Sequence, residues 1–405
     1  MTTAESRATT GAADDPSPPS GPGPVDSGFA PWVAPAYRFL RPALPLLGIY
    51  AVVRVGLLVV DILSAQLTFS GNLDAPMTRW DGAWFLRIAA SWYPYPPPYQ
   101  AGHHLLYYGP GAFGPVFPAF IRLLDSFGVL NPVQAAVTVS LVAGAVSVVL
   151  VWRLGCVLYD QRVGYIAGVL FIVMPGMAIV WGQLYSEGVG LALAAGCLLL
   201  IVRERWLWAG LVGAVATATN PMALPLALAA VVPAARSIRR HEVPRSLLTV
   251  VIVPMGFIAF VGYLGVHYHD AYFWWHLQRQ AWAGTVDFGT STVHLLWHPW
   301  SFGYQGKGWM QEAGALGVVG AVVALVRARP PLFLTVYCVG AFGEMFVSNE
   351  LGFKPRVLTW AFPALIAVAA STRRRGWQPI AISFAFLFPL VFLAYSSYSG
   401  QGVGP

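Results

Sequence analysis

Long apolar runs separated by short polar breaks dominate the chain. They fall near 43–67, 133–152, 163–183, 187–202, 206–220, 222–235, 247–267, 312–326, 332–349, 356–371 and 378–397. A helix of about 20 apolar residues crosses the hydrocarbon core, so the pattern predicts about 11 transmembrane helices. The runs at 206–220 and 222–235 are short, and their ends are the least defined. Two long polar stretches, at about 68–132 and 268–311, interrupt the series. Within the first, residues 111–122 predict a short amphipathic helix lying in the interface with Arg122 at a headgroup. The Pro-rich segment before it is not helical.

Arginine placement orients the bundle. Arg38 and Arg41, Arg153 and Arg162, Arg203 and Arg205, Arg236 to Arg245, Arg327 and Arg329, and Arg373 to Arg375 fall in alternate breaks. The positive-inside bias puts those breaks on the cytoplasmic side. Both long loops then lie outside, with the turns at Ser186-Glu187, Asn220-Pro221 and 350–356. Asp74, Asp81, Asp125, Glu187, Asp270, Asp287, Glu312 and Glu350 fall on that outer side or at its membrane edge. Away from the span ends only Arg54, Asp61 and Glu344 carry charge, and Arg54 and Asp61 are expected to pair within the bundle. Transporters tend to carry midplane charges and repeated halves; here the polar chemistry gathers on the outer face.

Composition agrees. Hydrophobic residues make up 57% and charged residues 10%, with mean hydropathy +0.62, against about a quarter charged in soluble domains. This is an all-α polytopic membrane protein. The formal charge of +7 does not point to nucleic acid, because the base is mostly Arg in inter-helix breaks. Cys156, Cys197 and Cys338 lie far apart in or beside apolar runs, so neither disulfides nor a metal site is expected. Residues 1–30 lack an apolar run and a positive n-region, and read as a disordered cytoplasmic tail before a membrane domain at 31–405.

The candidate chemistry starts at Asp81, in Arg79-Trp80-Asp81-Gly82-Ala83-Trp84-Phe85-Leu86-Arg87, just past the first span. A carboxylate within hydrogen-bond reach of an acceptor hydroxyl serves as general base. Trp80 and Trp84 supply apolar walls, and Arg79 and Arg87 supply charge for a phosphate. The same spacing also fits an Asp81–Arg79 or Asp81–Arg87 surface ion pair. Glu187, in Gln183-Leu184-Tyr185-Ser186-Glu187-Gly188, stands where two helices end on the outer side. It suits a sugar hydroxyl, or a helix start capped by Ser186. Asp270, Gln278 and Arg279 sit in an aromatic stretch of the second loop that suits a sugar, a lipid phosphate or an interfacial belt. Lys354 and Arg356 stand at the outer start of a span, placed for a lipid phosphate or a headgroup. Asn220 reads as a helix cap before Pro221, and His103-His104 as solvated rather than metal-binding.

Several of these pieces match one family in chain order. Trp80-Asp81-Gly82-Ala83-Trp84-Phe85-Leu86-Arg87-Ile88-Ala89 resembles the WDxxWYxxIA signature of the PIG-V-like mannosyltransferases. Phe113 to Arg122 is similar to the family's FFPLYPxLIR pattern, Tyr185-Ser186-Glu187 to its YSE motif, and Thr219-Asn220-Pro221 to its RSNG-like helix end. The loop from Asp270 through Gln278 to Trp282 and the segment Pro355-Arg356-Val357-Leu358 resemble two more.

The resemblance implies a GT-C multi-helix bundle whose outer loops carry short interfacial helices and the active site. It implies an inverting enzyme with a polyprenyl-phosphate sugar donor, polyprenyl-phosphate-mannose above all, and a membrane glycolipid acceptor. It would lie in the plasma membrane, with a cytoplasmic N-terminus. In this reading Asp81 is the base, and Arg356 with Lys354 and Arg279 meets the departing lipid phosphate. Glu187 and Gln278 orient hydroxyls, and the Trp residues stack on sugar rings. No metal or other cofactor is expected. Arabinose or glucose in place of mannose, and a lipid-linked sugar transporter without catalysis, are the alternatives.

Overall fold

The computed structural model of the chain describes residues 40–94, 109–282, 284–297, 307–349, 351–374 and 376–398. The expected tail at 1–30, Arg38, the Pro-rich stretch from Tyr95, His103 and His104, Glu350 and Arg375 lie outside them. Residues 1–42 and 43–405 are separate units; the second carries everything below.

Helices account for almost all of it. They are α1 (Leu44–Thr68), α2 (Asp81–Ser91), α3 (Val116–Asp125), α4 (Pro132–Leu158), α5 (Gln161–Ile172) and α6 (Met177–Gly182). There follow α7 (Glu187–Val202), α8 (Trp206–Thr219), α9 (Pro225–Arg239), α10 (Leu247–His267), α11 (Phe273–Trp282) and α12 (Thr290–Trp297). The last are α13 (Lys307–Ala328), α14 (Leu332–Val347), α15 (Pro355–Leu358), α16 (Pro363–Thr372) and α17 (Trp377–Tyr398). Among the described residues the sole β pairing is an isolated bridge between Val286 and Ser348.

Six helices are long and apolar enough to cross a membrane: α1, α4, α9 with its leading 3-10 turn, α10, α13 and α17. At the other five expected spans stand the shorter apolar helices α5, α7, α8, α14 and α16. Two of those runs are broken rather than continuous. The run at 163–183 divides at Val173–Gly176, where Pro175 cannot donate to the helical ladder. The run at 356–371 divides into α15, a 3-10 turn and α16, with Pro363 opening the last piece. Both breaks lie beside the candidate site, which needs irregular backbone to aim side chains.

Small residues set the closest approaches. Gly155 and Gly164 bring α4 and α5 together, and Gly168 receives Leu46 of α1. Thr217 of α8 inserts its hydroxyl into a rung of α10, next to Pro254. It donates to the Val253 carbonyl at 2.6 Å and accepts from the Phe257 N–H at 3.2 Å. Arg54 and Asp61 do not pair as expected. Arg54 instead donates to the Trp181 carbonyl at 2.7 Å, at the end of α6, while the Asp61 side chain is buried. Seven residues set Asp61 about 10 Å along the helix from Arg54, so the guanidinium takes a nearer acceptor, one of the carbonyls that a helix C-terminus leaves unsatisfied.

The amphipathic helix expected in the first loop is α3, which buries Phe117, Pro118 and Ile121 against α2 and α4. On the other side of α2, Ile88 and Tyr93 pack with Leu264 of α10 and Phe273 and Leu277 of α11. The two long loops are thus joined through α2, which carries Asp81.

Candidate active site

Asp81 opens α2 and Glu187 opens α7. Each carboxylate therefore sits at a helix N-terminus, where exposed amides and the helix dipole favour negative charge. The two helices are bound together by Arg356 of α15. Its Nη1 donates to Asp81 Oδ2 at 2.6 Å, and its Nε lies 3.3 Å from Glu187 Oε1. The guanidinium carbon stands 4.7 Å from the centre of the Tyr185 ring. Glu187 is the most enclosed member, with a side chain 4% exposed against 20% for Arg356 and 22% for Asp81. The Asp81 side of the cluster is partly open while the Glu187 side is sealed.

The backbone is shaped to hold this arrangement. Trp80 and Leu184, each just ahead of a site residue, both have φ of +52°. That left-handed region is costly for a residue with a side chain, and persists where surrounding structure demands it. Gly82 lets α2 lie flush on the next segment: a Cβ there would stand 2.7 Å from the Met77 carbonyl oxygen and 2.8 Å from that of Gln183. Gly176, in the break before α6, presses in the same way on Pro355 and Thr359. The Thr359 hydroxyl donates to the Arg356 carbonyl at 2.6 Å.

The Tyr185 phenol is pushed well above its ordinary range, first by burial and then by the neighbouring Asp81 and Glu187 carboxylates. Arg356 and the Asp81 backbone pull the other way. It stays protonated at neutral pH and gives Arg356 a neutral aromatic face.

The other expected residues are placed unevenly. Asp81 pairs with neither Arg79 nor Arg87. Arg79 lies between the Phe69 and Trp80 rings, 5.4 and 5.5 Å from their centres. Arg87 covers Trp84 at 4.8 Å, and Trp84 stacks on Phe113. Trp80 is exposed at the rim. Lys354 is half-buried and immediately precedes α15. Asp270 is turned to its own loop, accepting from the Tyr272 N–H at 2.9 Å and meeting His276 Nδ1 at 2.7 Å. Gln278 is half-buried on α11 and Arg279 is exposed on it. Asn220 caps the turn before α9, as expected, by accepting from the Met222 N–H. Tyr185 is the partner whose contact sequence reasoning missed, although it lies within the quoted YSE motif. Among the described residues no group of three or more His, Cys, Asp or Glu is arranged to hold a metal ion.

Solved structures of similar shape exist. An oligosaccharyltransferase from Archaeoglobus fulgidus, in the apo form, superposes with a TM-score of 0.54 at 12% identity over 89% of this chain. ArnT from Cupriavidus metallidurans gives 0.53 at 13% identity in the apo state, and 0.52 at 14% when bound to undecaprenyl phosphate. The fold is GT-C. This chain spans 56% of the archaeal protein's length and 76% of ArnT's. No family model and no curated protein sequence matches it.

Proposed function

We propose that this protein is a GT-C glycosyltransferase of the extracytoplasmic membrane face. It moves a sugar, mannose by the PIG-V-like motifs, from a polyprenyl-phosphate carrier to a membrane glycolipid. The observation that carries the reading is the convergence of Asp81, Glu187 and Arg356 from three distant segments onto one half-open site. The undecaprenyl phosphate bound to ArnT supports a polyprenyl-phosphate carrier for this shared fold. The arginine pattern supports an extracytoplasmic site.

The acceptor hydroxyl attacks the anomeric carbon as the bond from that carbon to the phosphate oxygen breaks, inverting the centre. The proton passes from the hydroxyl to the Asp81 carboxylate, and the lipid phosphate leaves with the bonding electron pair. Proton and charge movements reinforce each other here. Once protonated, Asp81 holds Arg356 less tightly, so guanidinium charge turns to the phosphate as negative charge develops there. Glu187 keeps Arg356 from swinging away and accepts a sugar hydroxyl. Arg79 and Lys354 are the remaining cations for the phosphate, with Arg279 and Gln278 approaching from the second loop. Trp80 and Trp84 stack on sugar rings.

The test is transfer from radiolabelled polyprenyl-phosphate-mannose to a panel of membrane mannolipids by purified protein in nanodiscs. Wild type transfers label, and Asp81→Asn loses about two orders of magnitude or more, the range of a lost general base. A folded Asp81→Asn protein with wild-type turnover sinks the assignment. Polyprenyl-phosphate-arabinose and -glucose serve as competing donors, and carrier movement across the bilayer without transfer would mark a transporter.

A further inference from the structure

Two helices enclose a groove of about 410 Å³ that belongs to no part of the proposed reaction. One wall is α5, through Ile166, Val169 and Val173; the other is α17, through Ile380, Phe384 and Leu387. Arg162 and Gly376 lie at its mouth, next to the first residues of both helices. The site around Asp81 lies past the other end of the α5–α6 segment, beyond Gly182.

The groove's length is set by its helices. Arg162 to Val173 and Gly376 to Leu387 each cover about 16 Å at 1.5 Å per residue. Leu387 stands at the middle of α17, a helix of 22 residues that is long enough to span. The groove therefore runs from the membrane surface to the midplane. Its depth is that of one leaflet, half of a hydrocarbon core of about 30 Å. That length suits one acyl chain and is too short for a polyprenyl chain.

Charge at the mouth selects the headgroup. Arg162 is exposed, and among the described residues it meets no carboxylate within ion-pair distance. The nearest acid in sequence, Asp160, already caps α5 through the Val163 N–H and pairs with Arg373 at 3.3 Å. In the first turn of α5, Arg162 gains nothing from the helix dipole, which favours anions there. A phosphate at the mouth would meet that guanidinium with its chain in the groove below. The most apolar window of α17 is 17% buried, which leaves most of that helix for lipid to cover.

From these observations we infer a structural lipid site in which an anionic glycerophospholipid seats its phosphate on Arg162 and one acyl chain between α5 and α17. The site is independent of the transfer reaction, and its test does not read activity. Native mass spectrometry is applied to full-length protein with phosphatidylglycerol or phosphatidylcholine, for wild type, Arg162→Gln and Ile380→Trp. Arg162→Gln changes an exposed side chain, and Ile380→Trp fills the groove while leaving the cation in place. Wild type holds one phosphatidylglycerol through activation that strips the rest. Affinity falls about tenfold in Arg162→Gln, the worth of one charge-assisted contact, and retention is lost in Ile380→Trp. Phosphatidylglycerol also raises the wild-type Tm more than phosphatidylcholine does, and this difference vanishes in both variants. Equal retention of the two lipids by wild type, undiminished retention in Arg162→Gln, or no retained lipid at all would each overturn the inference and leave only annular lipid.

Discussion

Arg356 reaches Asp81 across 275 positions of sequence, with Nη1 at 2.6 Å from Oδ2. The contact gives the candidate base a neutralising partner and also ties the first long loop to the start of a late apolar segment. Because Glu187 approaches the same guanidinium from a third segment, the cluster is both a catalytic candidate and a clasp. The two roles make separable predictions.

As a clasp, Arg356 balances two carboxylates, one of them almost fully enclosed. Removing the cation leaves Glu187 uncompensated, so Arg356→Ala is expected to destabilise the protein by about 3 kcal/mol. Adding Glu187→Gln should recover part of that loss, because the stranded charge is gone. Arg356→Lys should not substitute, since a single ammonium cannot span both carboxylates with the planar fork of a guanidinium. Denaturation of the four proteins in one detergent measures each effect. Equal stability of Arg356→Ala and the double variant would remove the clasp.

Gly82→Ala tests how closely α2 must lie on the Gln183–Leu184 segment. The added methyl meets two backbone carbonyl oxygens that cannot rotate away. Overpacking of this kind costs about 1–3 kcal/mol, and here it moves Asp81 relative to Arg356. Transfer should fall more steeply than thermal stability. Wild-type turnover in Gly82→Ala would mean that the approach of α2 is not critical.

Arg54 acts at a distance from the cluster. It holds the Trp181 carbonyl where α6 ends, three residues before the left-handed Leu184 and four before Tyr185. Arg54→Ala should cost about 1.5–3 kcal/mol for a hydrogen bond to a charged donor. It should also lower kcat with little change in the donor KM, because the 183–187 segment loosens around Arg356. Arg54→Lys restores a donor and should recover part of the rate. Faster hydrogen exchange at residues 183–187 in Arg54→Ala is the structural readout, and unchanged exchange would refute the link.

Asp287 gives the second long loop a pH dependence. Hydrogen bonds from Ser291, and then from the Gly289 N–H, hold its carboxyl below the usual carboxylate value. A pKa lowered by folding contributes stability that is present above the unfolded value, near 3.9, and is lost as pH falls through the native one. The start of α12 should therefore resist proteolysis at pH 6 and loosen as pH drops below about 3.9. Asp287→Asn should be looser than wild type at pH 6, and the gap should close in acid. A gap that persists at low pH would remove Asp287 as its source.

Much of the fold was legible from pattern. The apolar runs placed helices at all of the expected spans, because burying a backbone in hydrocarbon leaves the chain few choices but helix. The amphipathic run at 111–122 and the Asn220 cap were local signals; the cap is found, and the helix runs from Val116 to Asp125 after a 3-10 turn at Pro110–Ala112. The breaks at Val173–Gly176 and Phe362-Pro363 were less visible, since prolines also sit inside the intact helices α9, α10 and α17. Only packing decides whether a proline kinks a helix or ends it.

The site divides along the same line. Sequence by itself determined that this is a polytopic helical protein, because hydropathy is a sum over local residues. It also singled out Asp81, Glu187 and Arg356 one at a time. Which of them meet was decided by tertiary structure alone. Asp81 had arginines two residues before it and six after, yet both lie on aromatic rings while its partner comes from the far end of the chain. Arg54 had Asp61 on its own helix face and took a carbonyl instead. A charge chooses its partner by distance and burial in three dimensions, and neither is written in residue spacing.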